Sequence, residues 1–333
     1  MTVNLGKIFG TGEEIREFQT DPQIIGNRLV GIEVELEGMK NIGQLFRNQQ
    51  HPMLHWTLTC DGSLRNAGVE FVLSQPLGGK DVLSALSKLD SLISDYSEQI
   101  GSPSFSERTS VHVHIDMRSE SFSTLTHFIA LFLIFEKTLF RTFGEGRDTN
   151  NYCQPVSSGG LLDTVSKMVD ATQKREGNSP IYHGVKGSSK YNALNIRSLY
   201  GLGSVEFRLH RGEWKSEKLL LWINTLLSLA DYASKNELDF DKFSGNISMM
   251  GLDEFLISIF TEGYGIIEAL AYPEMWGDLL CGIRHAQDML LLNPSVSSSE
   301  KLNRYGKKRA TKGGATLLEG FCLKQQIDYE GDS

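Results

Sequence analysis

The stretch "SVHVHIDMR", residues 110–118, sets His112, His114 and Asp116 at every second position among Val111, Val113 and Ile115. Read as an extended strand, it turns imidazole and carboxylate to one face and aliphatic side chains to the other. Three further stretches carry acid or imidazole in the same way. "NRLVGIEVELEG" (27–38) spaces Glu33, Glu35 and Glu37 around Val34 and Leu36, "GVEFVLSQPL" (68–77) carries Glu70, and "GSVEFRLHRG" (203–212) carries Glu206, Arg208 and His210. Carboxylates two apart on a strand repel one another, so a folded strand keeps them only if they are solvated or hold cations. Each stretch alone also reads as a solvated face, a pair of satisfied histidines or a surface ion pair. Four together call for a sheet with one polar face.

Around these strands the order of elements is mixed. "LHWTLTCDGSL" (54–64) runs into an Asp61-Gly62 turn and pairs with 68–77 as a hairpin. Helical spacing marks 80–101, with Gly101 as its stop, then a long apolar helix over 124–143 and another over "EKLLLWINTLLSLADYA". Between them, 144–191 is loose, with one short amphipathic helix, and a stretch of this length is expected to be functional or mobile. "YNALNIR" reads as a strand leading towards 203–212. Two more helices are expected at 252–271 and 274–292, and a flexible tail from about 295 with a basic patch at Lys307, Lys308, Arg309 and Lys312.

With 333 residues, 40% of them hydrophobic, the chain can bury a full core. A net charge of -8 argues against a general nucleic-acid binder. Cys60, Cys153, Cys281 and Cys322 form no CxxC pair and read as reduced thiols of a cytoplasmic protein. The N-terminus lacks the apolar core of a signal peptide. "HFIALFLIFEKTLF", interrupted by Glu136 and Lys137, is too short for a bilayer span, so no membrane association is expected.

In order along the chain, "GIEVELEG", "WTLTCDGSL" with "GVEFVLSQPL", "SVHVHID", "GRDTNNYCQPV" and "YNALNIRSLYGLGSVEFRLHRG" before a Trp-bearing helix resemble the phage and bacterial amidoligases. These are carboxylate-amine ligases of the glutamine synthetase and γ-glutamylcysteine ligase fold. The likeness covers about 28–233. It implies an α+β fold, with a curved antiparallel sheet carrying helices on its outer face, as a catalytic domain over 25–235. A helical extension over 236–295 and the tail over 296–333 would follow.

By that likeness the protein would be an ATP-dependent ligase forming an amide through an acyl phosphate, using Mg²⁺ or Mn²⁺. Glu33, Glu35, Glu70, His112 and Glu206 would be metal ligands, and His114 would touch the ATP phosphates. Arg208 would hold the substrate carboxylate or the acyl phosphate, with Glu206 beside it in the catalytic set. Arg147, in the loose stretch, would give a cation to nucleotide or substrate. Asp61 and Asn195 match family positions without assignable chemistry, and Asp61 reads equally as a turn residue. Ser110 departs from the glycine-like residue relatives often carry there. The partners would be small-molecule or peptide carboxylates and amines; a modified nucleobase is compatible with the likeness but not indicated by charge. A host cytoplasm is expected if the chain is phage-encoded.

Two other readings compete. A ligase fold degenerated to a binding protein would lack an acidic ligand, yet every required acid is present. A metal-dependent amidohydrolase shares the HxH strand but needs strand-helix alternation and further strand-end histidines, whereas the eight histidines here are scattered and His183 reads as a loop residue. Guanidine kinases lack the HVH element, and no GxxxxGK[ST] loop occurs.

Overall fold

The structure is a computed structural model and describes residues 3–12, 17–48, 55–158, 160–236 and 252–291. Its centre is one six-stranded sheet in the order β2-β3-β1-β4-β6-β5. The strands are β1 Val30–Leu36, β2 Trp56–Thr59, β3 Val69–Leu73, β4 Ser110–Asp116, β5 Leu194–Asn195 and β6 Ser204–Arg211. Every strand pair is antiparallel. The acidic β1 therefore lies beside the HVH strand β4, with the Glu70 strand on one flank and the Glu206 strand on the other. The hairpin β2-β3 forms as expected, and the Asp61 carboxylate accepts the Ser63 N–H at 2.6 Å, which makes Asp61 a turn-forming residue.

The aliphatic alternates make the other face. Val30, Ile32, Val34, Phe71, Val111, Val113, Ile115, Val205 and Phe207 are fully buried, each contributing roughly 1.5–3 kcal/mol for a Val, Ile or Phe side chain taken from water. The helices are α1 Leu5–Phe9, α2 Ile42–Asn48, α3 Lys80–Gln99, α4 Phe122–Leu139, α5 Leu161–Gln173, α6 Ser179–Gly187, α7 Leu199–Leu202, α8 Ser216–Lys235, α9 Leu252–Ile259, α10 Ile266–Leu270 and α11 Met275–Leu291. Helices α3, α8 and α4 share the core with the sheet. Helix α3 turns one stripe inward (Val82, Leu86, Leu89, Ile93, Tyr96), as amphipathic spacing dictates.

Helix α4 is apolar all round because it is packed on two sides. Ser121 caps its start by accepting the Thr124 N–H at 3.1 Å. Phe128 and Phe132 meet Phe207 of the sheet, each at 5.5 Å between ring centroids. On the opposite side Gly282 of α11 comes so close that a Cβ there would lie 2.3 Å from the Ile134 carbonyl oxygen. A π turn, Phe140–Gly144, prolongs α4. The apolar helix thus reaches 23 residues, longer than expected and enough by length and composition to cross a bilayer. Its most apolar window is 78% buried inside the protein, the packing of a core helix.

Three expectations are revised. The helix at 252–271 is two, α9 and α10, parted by a turn in which Gly263 and Gly265 take positive φ. "YNALNIR" contributes only the two-residue β5. The stretch 144–191 contains α5 and α6, and His183 is on α6 rather than in a loop. That stretch is also pinned: buried Glu136 of α4 accepts the Val156 and Ser157 N–H groups at 2.5 and 3.0 Å, and Gln154 exchanges backbone bonds with Tyr191 and Ala193 at 2.7 and 2.8 Å. Helices α9 to α11 form a third layer over α4 and α8, with Phe255 and Phe260 against Phe135. There the buried Asp278 of α11 meets Lys137 at 2.5 Å, Arg141 at 2.7 Å and the Tyr272 hydroxyl at 2.6 Å. The expected tail, 296–333, lies outside the described residues.

Candidate active site

Cross-strand partners share a face, so the register arranges the polar alternates in three rows. One row is Gly31, His114, Glu206 and Asn195. The next has Glu33 beside His112, with Arg208 on β6. In the third, Glu35 faces Glu70, and Ser110 faces Arg211. Gly31 leaves room for the imidazole next to it, since a Cβ there would lie 3.2 Å from that of His114.

The rows are bonded to one another. His112 holds Glu33 through Nδ1 at 2.8 Å and stands 3.7 Å from Glu206, while its Nε2 meets Ser110 Oγ at 2.8 Å. Ser110 donates its hydroxyl to Glu35. His114 engages Ser204 Oγ through Nδ1 at 3.0 Å and presents Nε2 to Glu33 at 3.6 Å. Arg208 donates to Glu206, whose second oxygen accepts from Asn195 at 2.6 Å. Thr59 donates to Glu70 at 2.7 Å.

Four carboxylates thus stand around the Arg208 guanidinium and two imidazoles. Burial raises the Glu33 carboxyl, but hydrogen bonds and charge from His112 and His114 outweigh it and hold Glu33 well below the carboxylate range. Glu206 is lowered in the same manner, burial being overcome by His112, Arg208 and His114. Glu70 goes the other way: burial raises it, and repulsion from Glu33 and Glu35 adds to that against the Thr59 bond. His112 is raised, because Glu33, Glu35 and Glu206 prevail over its burial and over Arg208. Ligand atoms of Glu33, His112 and Glu206 lie within 4.8 Å of one another, and so do those of Glu35, Glu70 and His112. Carboxylate oxygens with one imidazole are the donor set that Mg²⁺ accepts in part and Mn²⁺ in full. Unneutralised acids at this spacing fit such ions.

All of Glu33, Glu35, Glu70, His112, His114, Glu206 and Arg208 therefore meet on one face. Three other residues read from the strands do not join them. Glu37 is buried but its carboxylate accepts the Arg65 N–H at 2.7 Å, beyond the end of β1. Asp116 grips Arg118 at both oxygens, 2.9 Å each. His210 fails because the alternation of β6 is broken. Between the pairs Val111–His210 and Val113–Phe207 one residue of β4 faces two of β6, a bulge that moves His210 to the core face. It packs on Phe143 and Trp222, and burial lowers its pKa to about 4.

Arg147 was expected to reach nucleotide or substrate from a mobile segment. Instead it is buried and donates to the backbone carbonyls of Glu107, Thr109 and Arg208 at 3.2, 2.9 and 3.3 Å. That makes it a brace between the 147–153 turn and strands β4 and β6.

Ser110, Thr59, Ser204 and Asn195 position the charged groups, and none of them is assigned this work from sequence. Ser110 stands two residues before His112 and so shares its face, a signal that was available. Thr59 and Ser204 needed the pairing register.

A sheet face carrying acids, imidazoles and a guanidinium, backed by layered helices, has the chemical groups of an enzyme-type polar site. Residues 26–230, well over half of the chain, match the family model described as "putative amidoligase enzyme". The chain belongs to the amidoligase family, which points to a ligase-type enzyme. Among curated proteins no match to this chain was found.

Proposed function

We propose that the protein joins a carboxylate to an amine at the expense of ATP, through an acyl phosphate. The observation that carries this reading is the convergence of Glu33, Glu35, Glu70, His112 and Glu206 around Arg208 on the polar face of the sheet. Burying several like charges is costly unless cations compensate them. Mg²⁺ or Mn²⁺ held by these five side chains would neutralise phosphate charge during transfer.

The chain's own residues do the rest. Arg208 binds the substrate carboxylate and holds it in line, a role suited to a planar bidentate donor. His114, with Nδ1 fixed by Ser204, directs Nε2 over the face towards phosphate oxygens. Asn195 and Ser110 keep Glu206, Glu35 and His112 from turning away. The carboxylate oxygen attacks the γ-phosphorus and ADP leaves. The amine nitrogen then attacks the acyl carbon, inorganic phosphate leaves, and a carboxylate of the face takes up the amine's proton. Water must be kept from the acyl phosphate. The pinned 147–158 segment is part of that shield, with the Tyr152 carbonyl 3.4 Å from Arg208 Nε. A cytoplasmic setting, where ATP and thiols such as buried Cys153 are maintained, suits this chemistry.

The test is ADP release by the full chain with ATP and Mg²⁺, while pooled carboxylates and amines are watched by mass spectrometry. A product with the mass of acid plus amine less one water is expected. No such product, and no ADP release that Glu206→Gln abolishes, sinks the ligase reading and leaves a binding protein.

A further inference from the structure

Past the Ser110 end of the rows the structure has a cleft of about 560 Å³. Three cations (Arg147, Arg211, Lys218) and three carboxylates (Glu107, Glu145, Glu213) line it. Arg211 is the cross-strand partner of Ser110 and so lies on the face that bears Glu35 and His112. Arg147 braces the cleft wall to the same strands through Thr109 and Arg208. The cleft is therefore built onto one end of the reacting face.

We propose that this cleft seats an organic substrate of the reaction, and that this substrate is zwitterionic, an amino acid or short peptide whose carboxylate lies on Arg211. The inference rests on the ligase reading of the neighbouring face. Size excludes ammonia as the molecule the cleft is built for: ligand pockets run roughly 300–1,000 Å³, whereas a water-sized molecule fills about 30 Å³.

Charge points to a molecule bearing both signs. Arg211 is held by an ion pair with Glu145, at side-chain exposures of 49% and 69%, and Lys218 by one with Glu213 at 3.0 Å. The exposed Arg211–Glu145 pair contributes little to stability. A substrate carboxylate can replace Glu145 on the guanidinium at little cost and gain a bidentate contact. Glu145 is then free to receive the ammonium group. Glu213 is not released, since it also accepts the Trp214 and Lys215 N–H groups at 2.8 and 3.0 Å. Phe105, 49% exposed on the cleft wall, offers an apolar surface to an aliphatic stem. A polyamine could pair with Glu145 but has no anion to offer Arg211 in its place.

The experiment is calorimetric titration of the full chain with L-glutamate, alanylglutamate, glutarate, spermidine and ammonium chloride. The two zwitterions should bind. Arg211→Ala should weaken them by about tenfold or more, and Arg211→Lys by less, as expected for loss of a charge-assisted pair of hydrogen bonds. Thr149→Trp, a bulky change at an exposed residue of the cleft lining, should block them. Thermal melting checks that each variant is folded, and Mn²⁺ binding followed by electron paramagnetic resonance should match wild type in all three. Binding of spermidine or ammonium alone, no binding by either zwitterion, or wild-type affinity in Arg211→Ala and Thr149→Trp each overturns the assignment. Zwitterion binding that depends on Arg211 in a chain that takes no Mn²⁺ would fell the ligase reading and leave the cleft's ligand standing.

Discussion

Two histidines on neighbouring strands, His112 and His210, are buried to the same degree, 3% and 4% exposed, and behave in opposite ways. His112 sits among Glu33, Glu35 and Glu206 and is raised. His210 sits between Phe143 and Trp222 and is lowered to about 4. Burial alone does not set the charge of a side chain; the face of the sheet it is turned to does. One face gathers groups that repel one another. The other hides its polar groups singly, as it does His210, whose ring meets the Arg211 carbonyl at 2.6 Å.

The largest effect that would break this contrast is on turnover. Arg208→Ala or Glu206→Gln should lower amide formation by about 10³-fold or more, roughly 4 kcal/mol of transition-state stabilisation, without a comparable loss of thermal stability. A variant that melts far below wild type would mean the face is structural.

Next comes acid stability. The folded pKa of His210, about 4, lies below its ordinary value of 6.5. Between those values the unfolded chain binds more protons, so stability at neutral pH is lost as pH falls through the window. The single-site contribution is about 3 kcal/mol. His112 is raised, so what it contributes to the metal-free protein is present below 6.5 and is lost as pH rises through its higher folded pKa. Urea titrations across pH should show that His210→Gln flattens the acid limb and leaves the alkaline limb alone. An unaltered acid limb in that variant would remove His210 from the account.

Asp278 gives a smaller, purely structural effect. Unlike the acids of the polar sheet face, it is one carboxylate among two cations and a hydroxyl. Asp278→Ala should cost about 2 kcal/mol, since Lys137 and Arg141, 58% and 48% exposed, regain water while the Tyr272 hydroxyl keeps only Thr138 at 3.2 Å. Chemical denaturation measures it, with turnover per folded molecule unchanged. The smallest change is Glu70→Gln. Removing a carboxylate raised by burial and by repulsion should stabilise the metal-free protein by less than about 1 kcal/mol while Mn²⁺ binding weakens. Calorimetric melting with and without Mn²⁺ reads both signs, and a destabilised metal-free variant would contradict the repulsion.

Much of the site was legible because strand period two is a local property: Glu33 with Glu35, His112 with His114, and Glu206 with Arg208 each needed only their own strand. The same rule failed at His210, where one extra residue in β6 reverses which face follows. It was silent on Arg147, whose burial depends on carbonyls 38, 40 and 61 residues away. Asn195 was noticed without a role, because its bond to Glu206 exists only once β5 lies against β6.

By itself, then, the sequence determined which side chains leave each strand together, which helices are amphipathic, and the family to which the chain belongs. Only the tertiary structure decided that β1 lies between β3 and β4, that the bulge withdraws His210, that Arg147 braces rather than reaches, and that α11 closes on α4 through Gly282. The division has one physical cause. Alternation and helical spacing are written in neighbouring residues, whereas strand order, register and close helix approach follow from pairing and packing between residues far apart, which bury the most surface in one arrangement.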